Sequence, residues 1–478
     1  MITADRMAAV DENAAALGVP RKQLMESSGN AVARAVRRVA DPGAAVALVC
    51  GRGNNGGDAF VAARFLDAYD VTVHLLGRPE TISTDIAREN WAALERAEMD
   101  TRAVRDSRAF DLGDPDVVVD AMLGTGVTGA LREPERSAAT AVNESDATVV
   151  AVDVPSGVDA DTGTAAGVAV DADHVVTFHD AKPGLDDYDV TVADIGIPEA
   201  AELFVGPGDR RVLHRPADAH KGDFGEVLVV GGGPYTGAPA LAAQAAMRAG
   251  ADLVRVACPR TVAREVQAFE EGLIVRPFDG DRLTPDHLDH VRALAADADA
   301  VVFGPGLGDH ETTLAAVRGF LEDFAGRAVI DADALGVVPG VETDATLLCT
   351  PHAGELRAMG GPDLGDDWRD RLDRVTAFAA DIGHTLLVKG AFDVVTDGER
   401  RRVNRTGNPG MTVGGTGDVL AGVAGALCST QDPLDAGALA AYANGLAGDR
   451  IVDRQGYGLL ARDLLPELPP ALWGETDE

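Results

Sequence analysis

A glycine-dense segment near the carboxyl end of the chain has the residue types that phosphate chemistry needs. It runs from Asn408 to Asp418 as NPGMTVGGTGD, and the apolar residues that follow predict a helix. Glycines let backbone N–H groups turn toward an anion, and a helix N-terminus adds the positive end of its dipole. Asp418 stands where it can take a proton from a hydroxyl. The segment therefore predicts a phosphoryl-transfer site with Asp418 as the base.

Three more polar clusters lie far upstream, each at the end of a predicted strand. They are CGRGNNGGD at 50–58, DAMLGTG at 120–126 and DVPSGVD at 153–159. The carboxyl ends of parallel strands converge on one crevice, where ligands bind. A lone Asp at a strand end is also a common helix cap, and a glycine loop is also a common turn. Both interpretations stay open for each cluster, but three successive clusters favour a binding site.

These clusters offer distinct chemistry. Oxygen atoms of Asn55, Asp120 and Ser156 suit a hard cation, monovalent or divalent. The segment 124–130 can wrap a phosphate with backbone N–H groups, and Asp153 can act as an acid or base.

Chain length and net charge further limit the possible domain organisation and binding partners. A chain of 478 residues predicts two domains, and an apolar content of 46% is enough to build their cores. The net charge of −35 would repel nucleic acid and anionic membranes, so we expect neither as a partner. Because acidic residues are spread along the chain, we hypothesise a protein adapted to high salt, where screening weakens self-repulsion. Such a source would be halophilic.

Four isolated cysteines, none in a CxxC pair, predict buried thiols, no disulfide framework and a reducing cytoplasm. The first residues do not have the pattern of a signal peptide, and no apolar run approaches membrane-spanning length. We therefore expect a cytoplasmic protein.

The order of apolar segments predicts an α/β fold in two domains, 1–213 and 214–478. Helical spacing covers residues 3–17 and 22–39, and short β-rich runs then alternate with helical stretches. Runs that are apolar throughout are typical of parallel strands covered on both faces. The strands predicted for the first domain are Ala44–Cys50, Val71–Leu76, Val117–Asp120, Thr148–Asp153 and His174–Phe178. Those predicted for the second are Glu226–Val230, Leu253–Ala257, Ala300–Phe303, Ala328–Ile330, Leu347–Cys349, Leu386–Val388 and Asp393–Thr396.

Several strand ends of the second domain also carry glycine or polar motifs, and we expect them to lie near Asp418. A lone His such as His352 is more often structural, and a lone Lys such as Lys389 is more often solvated. No GxxxxGK[ST] segment is present, which excludes a Walker-type NTPase. The motifs are HKGDFG at 220, GGG at 231, TGAPAL at 236, GPGLG at 304, TPHAGE at 350 and VKGAFD at 388.

The first half resembles the YjeF N-terminal domain, the NAD(P)H-hydrate epimerase family, in Leu24–Glu26 and in the three strand-end clusters. The resemblance implies a Rossmann-like domain that interconverts the R and S forms of hydrated NADH or NADPH. It implies that Asn55, Asp120 and Ser156 bind K⁺ and that Asp153 contacts the reacting nicotinamide end. The implied binding residues for the hydrated dinucleotide are Asn54, Asn55, Gly56, Gly57, Asp58, Gly124, Thr125, Gly126, Val127, Thr128, Gly129 and Ala130.

The second half, from Lys221 to about Asp463, resembles the NAD(P)H-hydrate dehydratase family, which has a ribokinase-like α/β fold. The resemblance implies that ADP phosphorylates the ring hydroxyl of the S hydrate, with Mg²⁺ on the phosphates. Loss of phosphate then regenerates the reduced nicotinamide and leaves AMP. Ala238, Gly306, His352 and Asp418 would contact the hydrate. The implied nucleotide-binding residues are Lys389, Gly390, Ala391, Phe392, Asp393 and Gly417.

Together the halves predict a bifunctional repair enzyme for hydrated nicotinamide nucleotides, acting on small molecules as a homo-oligomer. Its catalytic residues would be Asp153 and Asp418. A small-molecule kinase of the ribokinase-like fold is the first alternative, and it predicts a stable phosphorylated product. The second alternative keeps the N-terminal domain as a non-catalytic nucleotide-binding module.

Overall fold

The computed structural model describes residues 1–126 and 128–474. Its contacts divide the chain into two compact units, Met1–Ala201 and Glu202–Glu478. Each unit has a sheet whose strands alternate with helices. The predicted fold class, α/β in two domains, is confirmed.

The strands are β1 Ala45–Cys50, β2 Asp70–Leu76, β3 Asp100–Val104, β4 Val117–Ala121, β5 Thr148–Val152, β6 His174–Phe178, β7 Val190–Ala193, β8 Glu226–Val230, β9 Leu253–Pro259, β10 Ile274–Phe278, β11 Ala300–Phe303, β12 Arg327–Ile330, β13 Thr346–Cys349, β14 Thr385–Val388, β15 Asp393–Thr396 and β16 Arg401–Asn404. The helices are α1 Ala4–Ala16, α2 Arg21–Val39, α3 Asn54–Arg64, α4 Asp85–Arg96, α5 Glu135–Asn143, α6 Glu199–Leu203, α7 Gly237–Arg248, α8 Ala263–Gln267, α9 Leu288–Ala295, α10 Glu311–Glu322, α11 Ala353–Ala358, α12 Trp368–Ile382, α13 Thr416–Cys428, α14 Pro433–Gln455, α15 Ala461–Leu464 and α16 Leu468–Trp473.

Both sheets reverse their strand order beside the first strand of the unit. The first sheet runs β3-β2-β1-β4-β5-β6-β7 and is parallel throughout. The second runs β10-β9-β8-β11-β12-β13-β14-β15-β16, and its last two pairings are antiparallel. In open α/β sheets, ligands bind outside the strand ends at this reversal. The candidate sites are therefore expected between β1 and β4 and between β8 and β11.

The cores are built mainly from Ala, Val and Leu on both faces of each sheet. All four cysteines are free and buried, as the sequence predicted. In the described part of the chain, no helix is long and apolar enough to cross a membrane.

The division between the units falls before the predicted boundary at residues 213 and 214. Residues 202–213 belong to the second unit because they pack on its edge strand β16. The Val205 N–H donates to the Val403 carbonyl at 3.0 Å, and Arg402 pairs with Asp209 at 2.7 Å. Both partners of that ion pair are buried, which ties the segment to β16.

Candidate functional site

Two strand-end loops of the first unit meet at its strand-order reversal. Gly51 follows β1, and its N–H donates to the Ala121 carbonyl at the end of β4 at 2.9 Å. A Cβ at position 51 would lie 1.8 Å from the Met122 carbonyl oxygen, so only glycine permits this approach. Helix α3 then begins at Asn54, so the segment 54–58 forms its first turns rather than a loop. The first N–H groups of a helix have no partner within it, so those of this turn are available to an anion.

The three residues expected to bind a cation are held together at this point. The backbone N–H and the hydroxyl of Ser156 both donate to the Asp120 carboxylate, at 2.7 Å each. The Asn55 side chain donates from Nδ2 to the Leu123 carbonyl at 2.9 Å. Its Oδ1 atom is buried and has no hydrogen-bond partner among the described residues. An orphaned amide oxygen beside a buried carboxylate is a donor set that suits a cation such as K⁺.

Burial governs the charge of Asp120. It raises the pKa of this carboxyl to about 6, against the opposing effect of the hydrogen bonds from Ser156 and Met122. Within the described residues, no basic side chain forms an ion pair with Asp120. A bound cation would compensate this buried negative charge.

Asp153 lies just beyond β5 in a left-handed backbone conformation, with φ of +66°. Its Oδ1 accepts the Thr177 hydroxyl at 3.0 Å and lies 2.9 Å from Nζ of Lys182. That lysine is completely buried. Asp153 is therefore fixed by two donors, one in β6 and one in the segment that follows it.

Asp58, the last residue of the 54–58 segment, has a buried carboxyl group. Burial raises its pKa well above the usual range, and the charges of Asp153 and Asp11 raise it further. The pKa of Asp11, on α1, is raised by burial and also by the charge of Asp153. The structure thus groups three carboxyl groups around the position of Asp153.

The remaining predicted residues of this site line its open side. Gly124 packs against the Asn55 side chain, with only 3.4 Å between a Cβ at 124 and the Asn55 amide carbon. Asn54 and Gly126 are exposed, as are the residues from Thr128 to Ala130. Val127 lies outside the described residues. Residues 124–126 and 128–130 are thus partly or fully exposed, whereas Gly56 and Gly57 are buried within α3.

The second unit repeats the strand-end arrangement at its own reversal. The Gly232 N–H, after β8, donates to the Pro305 carbonyl, after β11, at 2.9 Å. A Cβ at Gly306 would lie 3.2 Å from the Ala238 Cβ. These two residues, both expected to contact the hydrate, are therefore brought together beside the N-terminus of α7.

Lys389, at the end of β14, is the centre of a charged cluster. Its Nζ lies 3.1 Å from Oδ1 of Asp331 and 3.4 Å from Oε2 of Glu355. Burial alone would lower its pKa, but the charges of Asp331 and Glu355 outweigh that effect and raise it. Asp331 is itself buried and accepts the Thr350 hydroxyl at 2.7 Å. These contacts hold the Lys389 ammonium in a charged cluster at the strand ends rather than in solvent.

His352 serves a structural purpose as well as lying in the site. Its Nδ1 accepts the N–H groups of Gly354 and Glu355 at 2.9 and 3.2 Å, which caps α11. Its backbone N–H donates to Glu355 at 2.7 Å, and the backbone of Lys389 pairs with that of Pro351. The side chain is 59% exposed, and its Nε2 lies 3.5 Å from Oε1 of Glu355.

The turn Lys389–Asp393 is closed by its last residue. The Asp393 carboxylate accepts the Gly390 N–H at 2.8 Å and the Asn404 amide at 2.9 Å. Burial raises its pKa to about 6 against those hydrogen bonds. Asp393 thus shapes the turn and leaves Gly390 and Ala391 exposed.

An aromatic ring supports the same turn. Phe392 stacks on Trp368 of α12 with ring centroids 5.8 Å apart. Arg371 of α12 donates to the Lys389 carbonyl at 2.6 Å. The exposed part of the turn is therefore held by α12 rather than being a free loop.

The glycine-dense segment ends as predicted, in a turn that opens a helix. Gly415 has φ of +97°, and α13 begins at Thr416, which puts Asp418 in the first turn. A Cβ at Gly417 would lie 3.6 Å from Nζ of Lys389. Burial raises the pKa of Asp418 to about 7; the charge of Asp331 adds to this and that of Lys389 opposes it. A carboxyl that titrates near neutrality is suited to general-base catalysis.

Two residues of the sites were missed from the sequence. Asp331 directly follows the predicted strand Ala328–Ile330, so the strand-end rule that selected Asp120 and Asp153 would also have selected it. Lys182 had no comparable signal, because a lysine in a loop is normally solvated.

Comparisons with known proteins agree with both halves of this description. A family model described as the YjeF-related protein N-terminus matches residues 21–184, and one described as NAD(P)H-hydrate dehydratase matches residues 227–470. The bifunctional NAD(P)H-hydrate repair enzyme Nnr of Pyrobaculum aerophilum is 45% identical over 489 residues, covering 98% of this chain and 97% of that protein. The chain belongs to the family of bifunctional NAD(P)H-hydrate repair enzymes.

Solved structures match the second half of this family member. A protein of Streptococcus mutans, SMU.573, shares 23% identity with a TM-score of 0.50, over 56% of this chain and 98% of that chain, which shows the fold alone. The ADP/ATP-dependent NAD(P)H-hydrate dehydratase of Bacillus subtilis, co-crystallised with ATP and Mg²⁺, shares 26% identity over 57% of this chain and 97% of that chain, with a TM-score of 0.48.

Proposed function

We propose that the chain repairs hydrated NADH and NADPH in two steps. The N-terminal unit interconverts the R and S hydrates, and the C-terminal unit dehydrates the S hydrate at the expense of ADP, which gives AMP and phosphate. The observation that carries the proposal is the pair of strand-end sites, one with a cation-type cluster and one with a near-neutral carboxyl at a helix N-terminus. An epimerase explains why one chain has both, since the dehydratase uses a single epimer.

Asp418 is the proposed base of the dehydratase. It takes the proton of the ring hydroxyl, whose oxygen then attacks the terminal phosphorus of ADP and displaces AMP. The phosphorylated oxygen leaves as phosphate while a ring C–H proton is lost, and the ring double bond is restored. The N–H groups at the start of α13 are placed to stabilise charge on the transferred group.

Lys389, Gly390, Ala391, Phe392, Asp393 and Gly417 form the proposed nucleotide-binding set, and Ala238, Gly306 and His352 the proposed hydrate-binding set. The proximity of position 417 to the Lys389 ammonium supports grouping the first set around one phosphate position. Mg²⁺ would neutralise the phosphates, as it does in phosphoryl-transfer sites generally. The choice of ADP rather than ATP as phosphoryl donor rests on the resemblance of the second half to the dehydratase family.

In the N-terminal unit, Asp153 is the proposed acid or base at the nicotinamide end. Residues 54–58 and 124–130 are the proposed binding segments for the dinucleotide. K⁺ would be held by Asn55, Asp120 and Ser156, where it supplies positive charge; the orphaned Asn55 oxygen supports this assignment.

The test follows the recovery of reduced-nicotinamide absorbance from a mixture of R and S hydrates, with Mg²⁺, K⁺ and high salt, and with ADP or ATP in parallel. Complete recovery with ADP is expected. Recovery that stops once the S form is consumed would reduce the first unit to a binding module. A stable phosphorylated product in place of recovery would favour the kinase alternative.

Two further predictions belong to this proposal. The enzyme is expected to be a homo-oligomer, which light scattering of the purified protein would test. A cytoplasmic location is expected from the reduced cysteines, and cell fractionation would test it.

A further inference from the structure

Lys182 is a charged side chain with no contact with solvent. Its Nζ lies 2.9 Å from Oδ1 of Asp153 and donates to the carbonyls of Phe178 and Asp180 at 2.9 and 3.3 Å. Burying an ammonium group is costly unless charge and hydrogen bonds compensate it. Here one carboxylate and two carbonyl groups compensate the buried ammonium of Lys182. The lysine is therefore a fully partnered part of the fold.

Both side-chain donors to Asp153 reach the same oxygen. Thr177 and Lys182 contact Oδ1, while no described residue donates to Oδ2. The backbone of Asp153 is held too, by a hydrogen bond of 2.7 Å from its N–H to the Val176 carbonyl. The carboxylate is therefore fixed at one oxygen and open at the other.

The surroundings of Asp153 are otherwise acidic. Asp58 from α3 and Asp11 from α1 are close enough for their charges to interact with that of Asp153. Arg21 and His179 act on Asp11 with the opposite sign. Lys182 supplies a positive charge in direct contact with the Asp153 carboxylate in these acidic surroundings.

We propose that Lys182 is the positioning residue of the epimerase site. Its contact with Oδ1, together with that of Thr177, fixes the Asp153 carboxylate and leaves Oδ2 free for the substrate. This inference rests on the proposed role of Asp153 in epimerisation, and the experiment below separates the two.

The first measurement is the kcat and the KM of epimerisation by the full-length Lys182→Met enzyme, after subtraction of the uncatalysed rate. Loss of the contact that fixes the carboxylate should lower kcat by about ten- to a hundredfold and leave KM nearly unchanged. Dehydration of the S hydrate by the same chain reports the amount of intact second unit, and Lys22→Met, at an exposed lysine paired with Glu89, is the matched control. A wild-type kcat in Lys182→Met would overturn the inference.

Asp153→Ala distinguishes the possible failures. If it abolishes epimerisation while Lys182→Met behaves as wild type, only the role of Lys182 is wrong. If Asp153→Ala epimerises normally, the proposed role of Asp153 is wrong and the inference is lost with it.

A double-mutant cycle covers the case in which Lys182→Met folds poorly. Removing one partner leaves an unpaired buried charge, whereas removing both does not. The melting temperature of full-length Lys182→Met/Asp153→Asn should therefore exceed that of Lys182→Met. A double variant that melts no higher than the single variant would show that the two charges are not coupled, and would overturn the inference.

Discussion

The substitution Asp418→Asn separates catalysis from stability at the dehydratase site. Asn keeps the size of the side chain but cannot accept the hydroxyl proton, so dehydration should fall by about 10²–10⁴-fold. Epimerisation, assigned to the other unit, should stay at the wild-type rate. The same change should stabilise the protein, because it removes a carboxylate whose charge is disfavoured where it lies.

The size of that stabilisation follows from the shift in pKa. Burial raises the pKa of Asp418 to about 7 in the folded chain, against 3.8 for a fully solvated aspartate, a difference of about three pH units. Each unit corresponds to about 1.4 kcal/mol, which gives about 4 kcal/mol as an upper bound. Because the folded pKa is the higher one, the wild type loses stability as the pH rises from 3.8 to about 7. The gain from Asp418→Asn should therefore be near zero below pH 4, about 2 kcal/mol near pH 5.5 and largest above pH 7.

Chemical denaturation of the full-length variant and wild type at several pH values measures this difference, alongside both activities. Asp453→Asn, at an exposed position of α14, makes the same chemical change without burial and should be neutral at every pH. A stability difference that does not vary with pH would refute the account of Asp418 as a charge disfavoured by burial. Dehydration at the wild-type rate would refute its role as the base.

Three other predictions concern the cation, the backbone and the surface charge. Asn55→Ala removes the side-chain oxygen that has no hydrogen-bond partner among the described residues, so the K⁺ concentration that gives half-maximal epimerisation should rise at least about tenfold. A K⁺ titration measures this, and an unchanged K⁺ dependence would count against the proposed cation site. A Cβ at Gly304 would lie 1.9 Å from the Asp331 carbonyl oxygen, so Gly304→Ala should lower the free energy of unfolding by about 1–3 kcal/mol. It should also impair dehydration but not epimerisation. Denaturation and both activity assays test this, and wild-type stability would contradict it. With a net charge of −35, the melting temperature and both activities should fall on transfer from molar to low salt, and equal values would end the high-salt hypothesis.

The strands that sequence reasoning found and missed differ in one physical respect. Every predicted strand lies in the interior of a sheet, where burial on both faces requires a continuous apolar run. The missed strands, β3, β7, β10 and β16, are the four edges. An edge strand is partly solvated and tolerates charge and proline, as in Asp100–Val104 and Ile274–Phe278. An edge strand would otherwise be recognised by alternating apolar and polar residues, but a strand of four or five residues is too short to show that alternation.

The sites show the same limit at the level of single residues. Strand-end position identified Asp120 and Asp153, and the glycine pattern identified Asp418, because both signals are local in sequence. The residues that tune these carboxylates come from elsewhere in the chain. Asp331 acts on Asp418 through space, and Lys182 reaches Asp153 from the segment after another strand. Such pairings depend on the folded arrangement and leave no local pattern.

Lysine pairing also bears on how an acidic chain can bind an anionic substrate. Lys389 is engaged by Asp331 and Glu355, and Lys182 by Asp153, so neither ammonium is an uncompensated positive charge. On the proposed site assignments, much of the attraction for phosphate would come from backbone N–H groups at the starts of α3 and α13 and from bound cations. Backbone dipoles act at hydrogen-bond distance, where salt screens little, whereas exposed lysines would lose most of their attraction in concentrated salt. Anion binding by backbone is therefore compatible with both the high negative charge and the high-salt setting that the composition suggests.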